Sequence, residues 1–367
     1  MGAAAPNWWA FDEKPAHTSA AAPNWWQTGS IHHPSSAAAP NWWAVENGGA
    51  NLTMCWIVGG MTARAGAPFR RSEAPAGLTA WDLRRRYRAP FHGVYVSVDE
   101  PLTDPLLARA ALLVAEPDSY VSHHTAARLL GAVVPDDPDV HVTSRRHRVK
   151  GEGLAGHRAK VGQRVVRWRG IRMTSPVQTF LDLAHQLSLV DLVVLGDSLV
   201  ARGRTTPEEL VSATREHRGP YSRLARRAAA LVRAGVDSPM ESRLRLLIVL
   251  AGLLEPEVDH RVHAEDGTLL RRYDLSYIPF RLIIEYDGRQ HAESDEQWLT
   301  DLGRDEALDD ERIRRLVIVS RDIDSTPAAT LARITKAMRG AGMVVPRLRD
   351  EWRRHFPSRP GDLAVPA

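Results

Sequence analysis

Three acidic residues stand close together near the C-terminal third of a 367-residue chain: Asp274, Glu285 and Asp287. Two short apolar runs flank a turn at Pro279. Asp274 lies on the first run, Glu285 and Asp287 lie on the second, and Gly288 ends it. Residues two apart on a strand share a face. Glu285 and Asp287 should therefore point one way and Tyr286 the other, and pairing of the two runs as a hairpin brings Asp274 beside them. Carboxylates on one face repel each other unless something positive sits among them, and a hard divalent cation held by oxygen ligands is the usual answer. Any one of these acids alone reads as a charge on a wet face. As a set they do not, because Leu282-Ile283-Ile284 is too apolar for an edge and reads as a central strand. His291, three residues past Gly288, has the chemistry of a base or proton donor.

The elements around these acids read in the order α-β-β-β-α-β-α. Ser238 as N-cap, Pro239 at N1 and Glu241 at N3 spell a capping box that opens a helix running to about Ala251. Strands follow near 259–262, 269–276 and 281–287. A helix over 295–310, a strand over 315–320 and a helix over 326–339 complete the set. Glu241 is open between two roles, helix cap and ligand for a water or second ion.

Upstream of this segment the chain is of a different character. The heptad Ala-Ala-Ala-Pro-Asn-Trp-Trp starts at Ala3, Ala20 and Ala37. Its Trp pairs could be recognition motifs on a flexible tail, but the expectation is translated repetitive sequence before the true start, for which Met54 and Met61 are candidates, or disorder with no role. His32-His33 there is not read as a metal site. Residues 51–75 look like an Ala-, Gly- and Pro-rich linker. From Leu78 the chain reads as globular: a helix end at 79–87, a single strand over Phe91–Val96, a helix over 104–116, and a helix over 123–130 capped by Ser122 and ended by Gly131. His123 and His124 are ligand-capable, but histidines at such a position more often lie on a helix surface, and that is the expectation. A β-rich stretch follows with Arg145, Arg146, His147, Arg148, Lys150, Arg164, Arg167 and Arg169, which either neutralise phosphates or are simply solvated. Helices then start at Ser175, Asp191, Thr206 and Tyr221. The tail from Pro346 reads as loosely ordered. The boundaries are thus 1–77 tail and linker, 78–235 α+β domain, 236–345 acid-bearing domain and 346–367 tail.

Composition narrows the class. Hydrophobic residues make up 44% and charged residues 25%, ordinary for a globular protein with a sizeable core. At about 150 residues per domain the length suggests two or a little more. The net charge of +4 and pI near 9.4 permit a nucleic-acid partner without requiring one. A single cysteine, Cys55, excludes an internal disulfide and thiolate clusters and fits a reducing cytoplasm. No apolar run approaches a membrane span, and residues 1–10 lack the features of a secretion signal.

The order of elements together with Ser238-Pro-Met-Glu241, Tyr273-Asp274-Leu and Ile284-Glu285-Tyr286-Asp287-Gly288-Arg-Gln-His291 resembles the restriction-endonuclease-like PD-(D/E)xK nuclease fold. More narrowly it is similar to the very-short-patch-repair (Vsr-like) endonuclease domains. Asp301 and Arg304-Asp305 also fit, and the resemblance covers 237–345. Residues 78–234 resemble the AbiEi antitoxin family, with a partial winged helix, through Gly93-Val-Tyr-Val, Val121-Ser-His-His-Thr-Ala-Ala-Arg-Leu-Leu-Gly131 and Thr174-Ser-Pro-Val-Gln-Thr-Phe-Leu-Asp-Leu183. The first resemblance implies an α/β nuclease domain in which Asp274 and Glu285 hold Mg²⁺ or Mn²⁺. Asp287 is then a further ligand where the broader fold often has Lys, which leaves His291 and Arg304 to stabilise charge. Tyr273 replaces the motif's Pro, and Asp310-Glu311-Arg312 stands where a Gly turn is expected. The implied activity is metal-dependent hydrolysis of DNA in repair or defence against mobile elements, with RNA as the other substrate sharing this chemistry. The second resemblance implies the alternative, a non-catalytic DNA-binding regulator or antitoxin with a toxin or second copy as partner.

Overall fold

The computed structural model describes residues 66–74, 76–288 and 313–357. The Trp-Trp repeats with Met54 and Met61, His291, the helix expected over 295–310 with Asp301, Arg304 and Asp305, and Asp310-Glu311-Arg312 lie outside the described residues. The protein is a mixed α/β chain with three sheets among those residues. It divides into two compact units between Leu183 and Ala184. The helices that the sequence assigns to the end of a 78–235 domain therefore group with the second unit.

In the first unit, β1 (Phe69–Arg70) precedes α1 (Ala80–Arg86), β2 (Tyr87–Phe91) and β3 (Val94–Ser97), and the sheet order is β1-β3-β2. Two expectations are corrected here. The linker to residue 75 contains β1, because Phe69 is buried edge-on to the Tyr87 ring at 5.2 Å. The single strand expected over Phe91–Val96 is two strands, since the chain reverses at His92-Gly93, where Gly93 takes a φ of +74° that disfavours any residue with a Cβ. Thr79 caps α1 by accepting from the Asp82 amide at 3.2 Å, and Asp82 reaches back to the Thr79 amide at 3.0 Å.

The same unit continues with α2 (Asp104–Val114), β4 (Tyr120–Val121), α3 (His123–Leu129), β5 (Val140–Ser144), β6 (Leu154–Arg158), β7 (Val165–Trp168), β8 (Ile171–Thr174) and α4 (Pro176–Leu183). The strand order is β6-β5-β4-β8-β7. The β5–β6 and β4–β8 pairs are parallel, and β4–β5 and β7–β8 are antiparallel.

The second unit opens with α5 (Leu189–Ala201), α6 (Pro207–Glu216) and α7 (Ser222–Leu231), followed by α8 (Pro239–Leu250). A four-stranded sheet of β9 (Glu257–His263), β10 (Leu269–Tyr277), β11 (Leu282–Tyr286) and β12 (Arg314–Ile318) runs in the order β12-β11-β10-β9. The first three strands are mutually antiparallel, and β12 lies parallel to β11. The helices α9 (Ser320–Asp324) and α10 (Pro327–Gly340) close it. The apolar run 282–284 is fully buried, as a central strand requires.

Helix α8 packs on the sheet and is anchored by a charge network rather than by apolar contacts alone. Arg245, wholly buried, donates to Asp197 of α5 at 2.9 Å and to Glu255 at 3.0 Å. Asp197 also accepts from the Ser242 hydroxyl at 2.7 Å and the Arg233 amide at 2.8 Å. Asp197→Asn keeps one acceptor oxygen, turns an NH2 toward a donor and weakens the partner of a buried guanidinium. It is expected to cost about 2 kcal/mol, read as a lower urea midpoint with an unchanged slope.

The tail expected to be loosely ordered from Pro346 is docked through its described part. Trp352 and Phe356 are each 2% exposed, the Arg349 amide donates to the Ala251 carbonyl at 2.9 Å, and the Arg243 guanidinium lies over the Phe356 ring. Two large aromatics in a short Arg-rich segment supply enough apolar area to hold it against α8.

Candidate active site

The acids are delivered by three elements of the second unit. On β10 and β11 the register Leu275↔Ile284 and Ser276↔Ile283, carried one step further, sets Asp274 opposite Glu285. The ladder opens there, and the Asp274 carboxylate accepts from the Tyr286 amide at 3.2 Å. Glu285 is buried, and Asp287 sits just past the strand end, its amide donating to the Ile318 carbonyl at 2.8 Å. Beyond β11 the strand alternation no longer fixes the Asp287 side chain, and its charge acts on Tyr286. Tyr286 points the other way from Glu285, its hydroxyl 2.6 Å from Ser320 Oγ. That is the alternation expected for Glu285 and Tyr286.

Glu241 comes from the first turn of α8 and is 8% exposed. Ser238 Oγ accepts from the Glu241 amide at 3.1 Å, the expected half of the cap. The return half differs: the Glu241 carboxylate accepts from the Asp237 amide at 3.1 Å, one residue beyond the Ser238 amide that a capping box would use. Burial, and then the charge of Asp274, push the Glu241 carboxyl up to about 7, against the bonds from Ser238 and Asp237. Asp274 thus acts electrostatically on Glu241 as well as standing opposite Glu285.

One positive group on this face is Arg315. It pairs with Ile283 across β11–β12, which puts it on the face of Glu285, and its Nε donates to Glu285 Oε2 at 2.7 Å. Sequence reading missed it. Arg315 lies 30 residues from Glu285, and only the parallel crossover brings it back. Arg272, on the face of Asp274, is bound to Asp237 and Asp259 and to the Gly235 carbonyl, tying the approach to α8 to the sheet.

Each acid has its own donor: the Tyr286 amide for Asp274, Arg315 for Glu285 and the Asp237 amide for Glu241. Among the described residues, the groups of three ligand-capable side chains whose donor atoms lie within 4.8 Å of one another are two, and both are in the first unit: His123, His141, His157 and His124, Asp137, His141. His123 and His124, expected on a helix surface, are each 6% exposed. Their rings meet His157 of β6 and His141 of β5, elements that follow in sequence, so no local pattern announces their burial. Ser122, expected to cap that helix, makes no cap bond. Its hydroxyl is 2.7 Å from Thr143 Oγ1 and 2.8 Å from His123 Nδ1. Arg145, Arg146, Arg148, Lys150, Arg164, Arg167 and Arg169 are all exposed.

No helix among the described residues is long and apolar enough to cross a membrane. The chain is 28% identical over 261 residues to an uncharacterized protein, MT2308, of Mycobacterium tuberculosis strain CDC 1551 / Oshkosh, a match covering 69% of this chain and 93% of that one. The same figures hold for the uncharacterized protein Rv2248 of Mycobacterium tuberculosis strain H37Rv. No protein-family model matches, and neither does any solved structure.

Proposed function

We propose that the second unit is a divalent-metal-dependent endonuclease that hydrolyses DNA, with a restriction-endonuclease-like, Vsr-like core, working in a reducing cytoplasm. The observation that carries the reading is the placement of Asp274 opposite Glu285 on one sheet face, with Glu241 buried in the first turn of the helix that packs there. An all-oxygen donor set suits Mg²⁺ or Mn²⁺. Mg²⁺ keeps several waters and takes one or two carboxylates plus substrate phosphate, so Asp274 and Glu285 suffice without a tighter protein cage. When bound, the ion polarises the scissile phosphate and lowers the pKa of a coordinated water.

The chain's own groups divide the remaining work. Asp274 and Glu285 hold the ion. Asp287, where the broader fold often carries Lys, adds negative charge at the rim. Glu241, protonated or ionised near neutrality, orients a water or takes its proton. Arg315 fixes the Glu285 carboxylate and stands nearest to the role of the missing Lys. His291 remains the candidate base.

A second reading, a DNA-binding regulator of AbiEi type, is supported by α1. Its last turn carries Arg84, Arg85 and Arg86 and leads directly into the β2–β3 hairpin, the helix-plus-wing pattern. Incubating the full chain with supercoiled plasmid, single-stranded DNA and RNA, with Mg²⁺ or Mn²⁺ or EDTA, separates the readings. The nuclease reading expects metal-dependent nicking of DNA. Retardation of DNA on a gel without cleavage under any metal would abandon it for the regulator.

A further inference from the structure

The histidines of the first unit form a built cluster that the nuclease chemistry does not use. Strand β4 runs into α3 at Ser122, whose amide donates to the His141 carbonyl at 3.0 Å, while the His141 amide donates to Thr125 Oγ1 at 2.8 Å. These bonds pin the start of α3 to β5. On the next strand, His157 stands beside Thr143, on the same face as His141. Three imidazoles from three elements therefore converge. The His123 ring stacks on His157 at 3.7 Å between centroids, and the His141 and His157 rings lie 5.1 Å apart. His123 and His141 are 6% and 2% exposed, and His123 takes a φ of +51°. Left-handed backbone is uncommon at any residue but Gly, although His tolerates it better than most, and it is held in place by its surroundings.

The nitrogens are arranged for a metal. His141 Nδ1 lies 2.9 Å from His157 Nε2, so the two lone pairs share one proton. The other nitrogen of His141, Nε2, lies 3.0 Å from Asp137 Oδ2. His123 Nδ1 lies 2.8 Å from Ser122 Oγ, and one ligand-capable nitrogen of each of His123, His141 and His157 lies within 4.8 Å of the others. A carboxylate on the far nitrogen of a ligating histidine is the recurrent outer support of zinc sites, fixing the tautomer and the ring. We propose that His123, His141 and His157 bind one Zn²⁺-class transition-metal ion per chain, with Asp137 as the positioning residue behind His141. Zn–N bonds near 2.0–2.1 Å in a tetrahedron put nitrogens about 3.3 Å apart. The 2.9 Å pair must open by a few tenths of an ångström, and the His123 ring must turn out of its stack. Three nitrogens and an open fourth position favour Zn²⁺, Co²⁺ or Ni²⁺ over Mg²⁺. The competing set His124, Asp137 and His141 would use the other nitrogen of His141. It is less favoured, because there Asp137 would be a ligand and His141 would lose its outer support.

The inference is independent of the nuclease reading. The test strips the full-length protein with chelator and titrates it with Zn²⁺ and Co²⁺, reading stoichiometry by dialysis and element analysis and geometry by the Co²⁺ visible bands. Circular dichroism checks the fold of every variant. Expected are one ion per chain, intense tetrahedral-type Co²⁺ bands, and a rise of several degrees in Tm with Zn²⁺. His157→Ala, at a half-buried position, should abolish binding. Asp137→Asn should weaken it 10–100-fold without abolishing it. Asp274→Asn/Glu285→Gln should leave it unchanged, which separates this site from the other. Failure of the wild type to bind stoichiometrically overturns the proposal, whatever the variants do. So does binding that survives His157→Ala, which would place the ion at the competing set or at histidines elsewhere.

Discussion

Asp274→Asn and Glu285→Gln, each alone, are expected to lower Mg²⁺-dependent nicking of plasmid DNA by about a thousandfold, with Tm nearly unchanged. Each removes a charged oxygen ligand while keeping the shape and one acceptor. A thousandfold loss corresponds to about 4 kcal/mol of transition-state stabilisation, within what metal polarisation of a phosphate contributes. The choice of variants follows from the geometry. Glu285→Ala would leave the Arg315 guanidinium, 17% exposed, without the carboxylate it holds at 2.7 Å. Stranding one member of such a pair costs about 3–5 kcal/mol, so lost activity would then report unfolding. Asp274→Ala would likewise deprive the Tyr286 amide of its acceptor where the β10–β11 ladder opens. The Asn and Gln variants avoid both problems. The kinetics are followed across a range of Mg²⁺ concentrations. A variant that merely binds the ion less tightly recovers at high Mg²⁺, as expected in part for Glu285→Gln. Nicking at wild-type rate in the double variant at any Mg²⁺ concentration would remove the site altogether.

The sequence exposed this site unevenly, and the reasons are physical. The fully apolar run 282–284 identifies a central strand, because only burial on both faces tolerates it. Ser238, Pro239 and the apolar positions of α8 set both ends of that helix, and the observed Pro239–Leu250 falls within one residue of the reading. These are local signals, and they place Asp274, Glu285 and Glu241. What escaped was long-range. Arg315 becomes part of the site only through a parallel crossover. The histidine cluster exists because β5 and β6 bring His141 and His157 to the start of α3, and a helix-start His-His pair carries no sign of that. Strand β1, two residues long, is too short for any periodicity, and it is fixed by where Phe69 lands rather than by pattern. Even the capping box was half right, since backbone geometry decided that Glu241 reaches the Asp237 amide.

Glu241 yields the sharpest separation of ligand from cap, through the effect of Mg²⁺ on its pH dependence. Its carboxyl has an ordinary value of 4.5 in the unfolded chain and is pushed up to about 7 in the fold, first by burial and then by Asp274. Between those values the folded state binds more protons than the unfolded one, so stability falls as pH rises. The contribution is fully present below about pH 4.5 and is lost as pH passes 7. The total loss is about 3 kcal/mol, from 1.36 kcal/mol per unit. In EDTA, wild type is therefore expected to be less stable at pH 8 than at pH 5 by up to that amount, and Glu241→Gln should erase most of the difference. Glutamine keeps an oxygen for the Asp237 amide and carries no charge to repel Asp274, so the variant should be the more stable protein at pH 8. Mg²⁺ should then restore wild type at pH 8, because a cation on this face favours the ionised carboxylate, and should do less for the variant. Were Glu241 only a cap, the pH dependence set by burial and Asp274 would persist, but Mg²⁺ would not distinguish the two proteins. Urea midpoints for both proteins at pH 5 and pH 8, with EDTA and with Mg²⁺, decide between these outcomes without any assay of cleavage.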